Sequence, residues 1–321
     1  MAFWPVYFRT LRSLMGLRRT VIMYALGLWP SWFFPLVIWQ RLFQSGNMSL
    51  DMQTSFIAGY FELMSFLWIA GFFLAYLLVG SPGLGMISSE QDRGTLLLVV
   101  SKPISRTQLL MGKFAGLISA ALIYEASMLI TSVALLTLLL DLDPQTVSAL
   151  AGVSLWTFVF GVLLTALFAA VGILLSTVVS SGAARGAIFA GILLFSFAFG
   201  PIMRLGFQDE YSNFRLYYVD AGHNLGNAYV MLLDDGNTAP LTPQGQAWIG
   251  IATGTYTGGP GLLLSSFLGG PSNFDPDVSG MPVSLDRTTY VNPYVSLLLI
   301  VGATGASLYA ARNSLNRREV Q

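Results

Sequence analysis

Residues 144–184 run for 41 positions without one charged side chain. A helix needs about 20 apolar residues to cross the hydrocarbon core of a bilayer, so this run is too long for a single crossing. Soluble domains carry about 25% charged residues, whereas this chain carries 10%, with 54% hydrophobic. The pattern predicts an all-α polytopic membrane protein. Within the run, a span over residues 147–171 follows the acidic turn Asp141, Asp143 and Pro144. Its inner end trails into residues 172–181, and a turn at Ser180-Ser181-Gly182 and Arg185 leads to the next span.

The same reasoning places six spans, over residues 20–40, 63–87, 114–140, 147–171, 186–203 and 293–311. Pro30 and Pro35 break the backbone ladder of the first, and neighbouring helices can satisfy the freed carbonyls. Trp29, Trp32, Phe33, Phe34 and Trp39 read as an aromatic belt or as an aromatic wall against a substrate. Residues 41–62, with Asp51 and Glu62, read as a polar loop. Ser81-Pro82-Gly83 and Gly85 mark either a flexible joint or the exit of the second span. Glu125 stands about 17 Å into the third span at 1.5 Å per residue. A carboxylate there costs about 2.5–3.5 kcal/mol on insertion scales, so it faces protein or water. It either ties helices together or belongs to a pathway.

Before the first span, Trp4, Tyr7, Phe8, Leu11, Leu14 and Met15 recur with helical period among Arg9, Arg12, Arg18 and Arg19. A basic amphipathic helix of this kind suits the membrane surface; the other reading is an extension of the first span. No secretory signal pattern stands at the N-terminus. Residues 207–290 hold eight acids, two bases, twelve glycines and six prolines, too long for an ordinary connection. They read as an extracytoplasmic insertion between spans five and six, with a short surface helix over residues 224–233. The apolar but glycine-rich residues 246–270 are not read as a span. The chain thus divides into residues 1–206 (spans one to five), 207–290 (insertion) and 291–321 (last span and tail). With both termini cytoplasmic, twelve of the sixteen basic residues lie inside, as the positive-inside rule demands.

Residues 88–113, SSEQDRGTLLLVVSKPISRTQLLMGK, form the longest charged interruption between apolar runs in the first half. Ser88 with Gln91, and Ser105 with Gln108, have capping-box spacing. Lys102-Pro103 breaks helical geometry between them. The expectation is helix, turn, helix, with the second helix running on into the third span. The order Glu90, Gly94-Thr95-Leu96, Ser101-Lys102-Pro103-Ile104-Ser105-Arg106 and Gly112-Lys113 resembles the cytoplasmic segment between the second and third spans of ABC-2-type transporter permeases. That resemblance implies a segment that docks on an ATP-hydrolysing subunit. It points to Glu90, Gly94, Thr95, Pro103, Ser105, Arg106 and Lys113 as coupling residues. Gly94 would permit a turn or close approach; Arg106 and Lys113 would pair with partner acids or lipid phosphates. It also implies a second permease copy or related chain, and ATP and Mg on the ATPase rather than on this chain.

Catalysis has little to work with. The chain has no cysteine and one histidine, His223, read as a loop or interface residue rather than a metal ligand. No GxxxxGK[ST] loop or HExxH pattern occurs, and the basic residues flank spans rather than form a nucleic-acid surface. Three functions remain open. One is a permease subunit driven by a separate ATPase, with export the direction the resemblance favours. The second is an ion-coupled transporter using Glu125. The third is a non-transporting scaffold whose acidic insertion binds an extracytoplasmic protein.

Overall fold

Helix boundaries fall where the sequence supplies caps. The computed structural model describes residues 3–34, 36, 50–89, 105–196, 203, 207–235, 243–256 and 287–317. In chain order the helices are α1 (Phe3–Leu14), α2 (Leu17–Phe33), α3 (Leu50–Leu63, continuing as π-helix Met64–Gly80 and closing with Ser81–Gly85), α4 (Arg106–Leu140), α5 (Pro144–Val178), α6 (Gly182–Leu194), α7 (Gln208–Asn213), α8 (Ala221–Asp235), α9 (Pro243–Thr253) and α10 (Pro293–Arg317). A short 3₁₀ turn, Leu216–Tyr218, joins α7 to α8.

The Ser105 hydroxyl accepts from the Gln108 amide at 3.1 Å, and the Gln108 side chain accepts from the Ser105 amide at 3.2 Å. This is the reciprocal capping expected there, and it starts α4. Asp141, in the left-handed region at φ 51°, ends that helix. Two residues on, the Asp143 carboxylate accepts from the amides of Gln145 and Thr146 and from the Thr146 hydroxyl. Those bonds hold its carboxyl below the usual range, the Thr146 hydroxyl contributing most. Pro144 needs no amide partner at the first turn. The result is a hairpin of two 35-residue helices, each about 52 Å long.

α5 is the hub, packing against α3, α4, α8 and α10. Among the described residues, four helices are long and apolar enough to cross a membrane: Ile57–Gly85 within α3, then α4, α5 and α10. α6 is a shorter apolar helix, and the rest of the expected fifth span, residues 197–203, lies almost wholly outside the described residues. The described part of the expected first span is mainly α2, with Pro30 inside it. On either side of that proline, α3 supplies donors: Tyr60 to the Pro30 carbonyl at 2.9 Å and the Trp68 indole to Gly27 at 3.2 Å. Trp29, Trp32 and Phe33 are exposed on α2, and the Trp29 ring packs edge-on against Trp68.

Two expectations change. Residues 50–62 are not loop but the first turns of α3. Their apolar positions Ile57 and Phe61 are buried, and Glu62 is buried with them. Helix α8 is longer than expected and does not lie on a surface. Leu225, Ala228, Tyr229, Val230 and Leu233 join one core with residues of α3, α4 and α5. Asn227 bonds to the Val291 carbonyl and the Ser296 hydroxyl, which bonds in turn to Asn224. Arg287 reaches both Asn227 and Asp234. These bonds seat α8 against the start of α10.

α1 is a helix of its own, parted from α2 at Met15-Gly16. It packs on the first turns of α4, where Gly112 and Gly116 let it in. A Cβ on Gly112 would stand 3.0 Å from the Val6 side chain, and one on Gly116 would stand 2.9 Å from Thr10. Small residues one turn apart are what close helix approach in membranes requires. Trp4 and Phe8 remain exposed on the other side of α1.

Candidate functional site

Of the expected coupling residues, Glu90, Gly94, Thr95 and Pro103 lie outside the described residues. Ser105, Arg106 and Lys113 are placed, and each acts as an internal tie. Ser105 caps α4. The Arg106 guanidinium donates to the Leu315 carbonyl near the end of α10. Lys113, only 4% exposed, donates from Nζ to the Met86 carbonyl just past α3, at 2.5 Å. Both basic side chains therefore take acceptors from this chain, where the sequence suggested acids of a partner or lipid phosphates.

Ser176, near the end of α5, completes this joint. Its hydroxyl accepts the amides of Ile87 at 3.0 Å and Ser88 at 3.1 Å. These groups have left the α3 ladder, so an outside acceptor satisfies what would otherwise be orphaned donors. One residue on, the Thr177 carbonyl accepts from Ser314 of α10 at 3.2 Å. Close by, Gly83 and Gly172 bring α3 and α5 almost backbone to backbone. Residues 88–105 are thus bracketed on one side by ties to α5 and on the other by ties to α10 and the start of α4.

A second cluster sits halfway along the helices. Glu125 is fully buried, and neither carboxyl oxygen has a hydrogen-bond partner among the described residues. It abuts Gly161 of α5, where a Cβ would stand 1.9 Å from its Oε1. Tyr229 of α8 reaches the same level, its hydroxyl 3.0 Å from Thr157 and its ring 4.7 Å from Phe66 and 5.1 Å from Phe160. Glu62 of α3 is buried as well. Two acids from different helices therefore share one apolar, aromatic interior.

His223 lies buried on α8, its Nδ1 3.1 Å from the Thr253 carbonyl and its amide donating to Asp220. Among the described residues no three acids, histidines or cysteines gather into a metal-binding group.

Sequence reasoning missed Ser176, Met86, Leu315, Glu62 and Gly161. A lone serine in an apolar run carries no sign of which amides it answers. Carbonyl acceptors carry no side-chain signal at all. Glu62 could have been found by extending the helical period of Ile57 and Phe61 backwards through the supposed loop.

The family model described as ABC-2 family transporter protein matches residues 14–231, which span α2 to α8 and the segment between α3 and α4. No curated protein matches the chain.

Proposed function

This chain belongs to the ABC-2 family of transporter proteins, and from that premise we propose how a permease of this build is driven. A separate ATPase subunit docks on residues 88–113, and ATP hydrolysis there moves a substrate outward. Two permease chains, identical or related, form the pathway. Both termini lie in the cytoplasm, and ATP and Mg stay on the ATPase.

The observation that carries this reading is the double anchoring of the docking segment. On one side, Ser176 and Lys113 hold its entry to α5 and α4. On the other, α4 runs without a break from its cap at Ser105 to Leu140. A push on the segment is delivered to the inner ends of α3, α4, α5 and α10 together. Different contacts in the two nucleotide states then bias the helices between two arrangements, since only differential contacts can shift such an equilibrium.

The test is purification of the chain from its native membrane in mild detergent, with identification of co-purifying chains and an ATPase assay. A stoichiometric ATPase that is lost on reversing the charge of Glu90 supports the reading. Reversal of Arg106 should act more strongly, because it also breaks the tie to Leu315. A folded preparation with no ATPase would sink it.

One observation favours a second reading, ion coupling through Glu125: the complete burial of a carboxyl group with neither oxygen answered. Glu125→Gln decides between them. Transport that proceeds normally at every pH in the variant removes proton coupling.

A further inference from the structure

Helix α10 is fastened at its two ends to different parts of the molecule. Its buried residues are Ser296 and Ile300 in the first third and Ala311 and Leu315 in the last. Near its start, the Ser296 hydroxyl donates to the Asn224 side chain at 2.8 Å and accepts from Asn227 at 3.0 Å, both on α8. Near its end, Ser314 donates to the Thr177 carbonyl of α5 at 3.2 Å, and the Leu315 carbonyl accepts from the Arg106 guanidinium at the start of α4. Ala311 and Leu315 also join Ile87, Leu110 and Ile173 in a second apolar cluster beside the main core, whereas Ile300 belongs to the main core together with Tyr229. α10 packs on α5 as well, but between Ile300 and Ala311 none of its residues is buried. A Cβ on Gly302 or Gly305 would meet nothing within 4 Å, and the Thr304 hydroxyl bonds back to its own helix at Ile300. The specific fastenings are therefore at the ends.

Ser296 and Leu315 stand about 28 Å apart along the helix axis at 1.5 Å per residue. A helix keeps that length because each amide is bonded four residues back, so a displacement of one end arrives at the other. An apolar contact can slide, whereas a buried hydrogen bond fixes a position, since losing it leaves an orphaned group. We infer that α10 is a strut: Arg106 and Ser314 at one end, and Asn224 and Asn227 at the other, are positioning residues that tie the seating of α8 to the start of α4. The line runs from Arg106 through Leu315 and Ser296 to Asn227. Two residues further along α8 stands Tyr229, which closes against Phe66 and Phe160. When the start of α4 moves, α8 is drawn with it, and the aromatic interior loosens or closes. That an ATPase supplies the movement rests on the reading above; the link between α4 and α8 does not.

A line of contacts is not itself coupling, so the test measures coupling directly. The full chain is placed in phosphatidylcholine nanodiscs and its amide hydrogen exchange is followed by mass spectrometry. R106Q/S314A, which frees the end of α10, should speed exchange across residues 225–233 of α8 by about fivefold or more, the lower range of couplings between distant sites. Asn227→Ala should in turn speed exchange across residues 106–113, because coupling is reciprocal. Arg106→Lys, which can still donate to the Leu315 carbonyl, should keep α8 slow. Ser176→Ala weakens the same joint with every hydrogen bond of α10 in place, and it should leave α8 unchanged. If R106Q/S314A does not fold, Ser314→Ala alone carries the comparison. Equal exchange of α8 in the wild type and the freed variant overturns the inference. So does acceleration in α8 no greater than in α6, or an equal response to Ser176→Ala, since either marks a general loss of stability. Where an ATPase co-purifies, its nucleotide state should alter α8 exchange in the wild type; a response that survives in R106Q/S314A also overturns the strut. Without an ATPase, the nanodisc comparison decides by itself.

Discussion

The joint around Ser176 and the middle of the helix pack treat buried polarity in opposite ways. At the joint, the amides of Ile87 and Ser88, the Lys113 ammonium and the Arg106 guanidinium all find acceptors on neighbouring helices. In the middle, the Glu125 carboxyl is more deeply buried than any of them and finds none among the described residues. A satisfied polar network fixes one geometry, because each bond lost leaves an orphan behind. An unsatisfied acid does the reverse, favouring whatever rearrangement gives it a partner or water. The joint is thus suited to carrying force, and the seam between α4 and α5 is suited to opening.

The largest expected effect comes from closing that seam by force. Gly161→Val would drive a side chain into the Glu125 carboxyl, and overpacking on this scale costs about 3 kcal/mol. The tryptophan-fluorescence melting temperature in detergent should fall sharply, and Glu125→Ala in the same chain should recover part of the loss. If the double variant is no better than Gly161→Val alone, the two side chains do not oppose each other. Next comes Ser176→Ala, which orphans two amides at about 1–3 kcal/mol in total. It should lower the melting temperature and, in a complex with the ATPase, leave hydrolysis running while transport falls. Equal losses of both would make Ser176 a purely structural residue.

Glu125→Met tests the seam from the other side and has the opposite sign. Removing a buried acid with unanswered oxygens should stabilise the chain by about 1–2 kcal/mol. A destabilised variant would show that the carboxyl has a partner after all. The smallest effect is expected far from both regions, at the exposed turn. Asp143 has a lowered native pKa because it accepts three bonds. Its contribution is therefore present above its unfolded pKa, about 3.9, and is lost as pH falls through the lower native value. Asp143→Asn should reduce stability slightly at neutral pH, with the difference from wild type vanishing in strong acid. A difference independent of pH would assign the cap to shape rather than charge.

Legibility in the sequence follows the same division. The α4–α5 hairpin was readable because its ends carry local chemistry: Ser105 with Gln108, then Asp141, Asp143 and Pro144. Such caps act within a few residues, so spacing reveals them. The first turns of α3 were hidden because Asp51 and Glu62 look like loop residues, and only tertiary packing withdraws Glu62 from water. The depth of α8 was hidden for a related reason. Nothing local marks its asparagines, Asn224 and Asn227, as buried, yet they bond to Tyr217, Val291 and Ser296 inside the protein. Of the expected site, the existence of a charged joint was legible, and so was an acid in the third span. The acceptors were not, since two are backbone carbonyls and the third is an unmarked serine.

The depth of α8 has a consequence for how the protein is made. Phe66, Phe160 and Thr157 all lean on Tyr229, which leaves the ribosome long after they do. At about 5–20 residues per second, the earlier helices stand in the bilayer for seconds with that place unfilled. During this interval α3 and α5 are already inserted, yet their shared interior is open. That part of the interior is closed only by a segment made later, and α10, made later still, packs on α5 after it. A ribosome stalled before residue 229 should therefore leave a nascent chain that has all its early crossings and still falls apart in mild detergent.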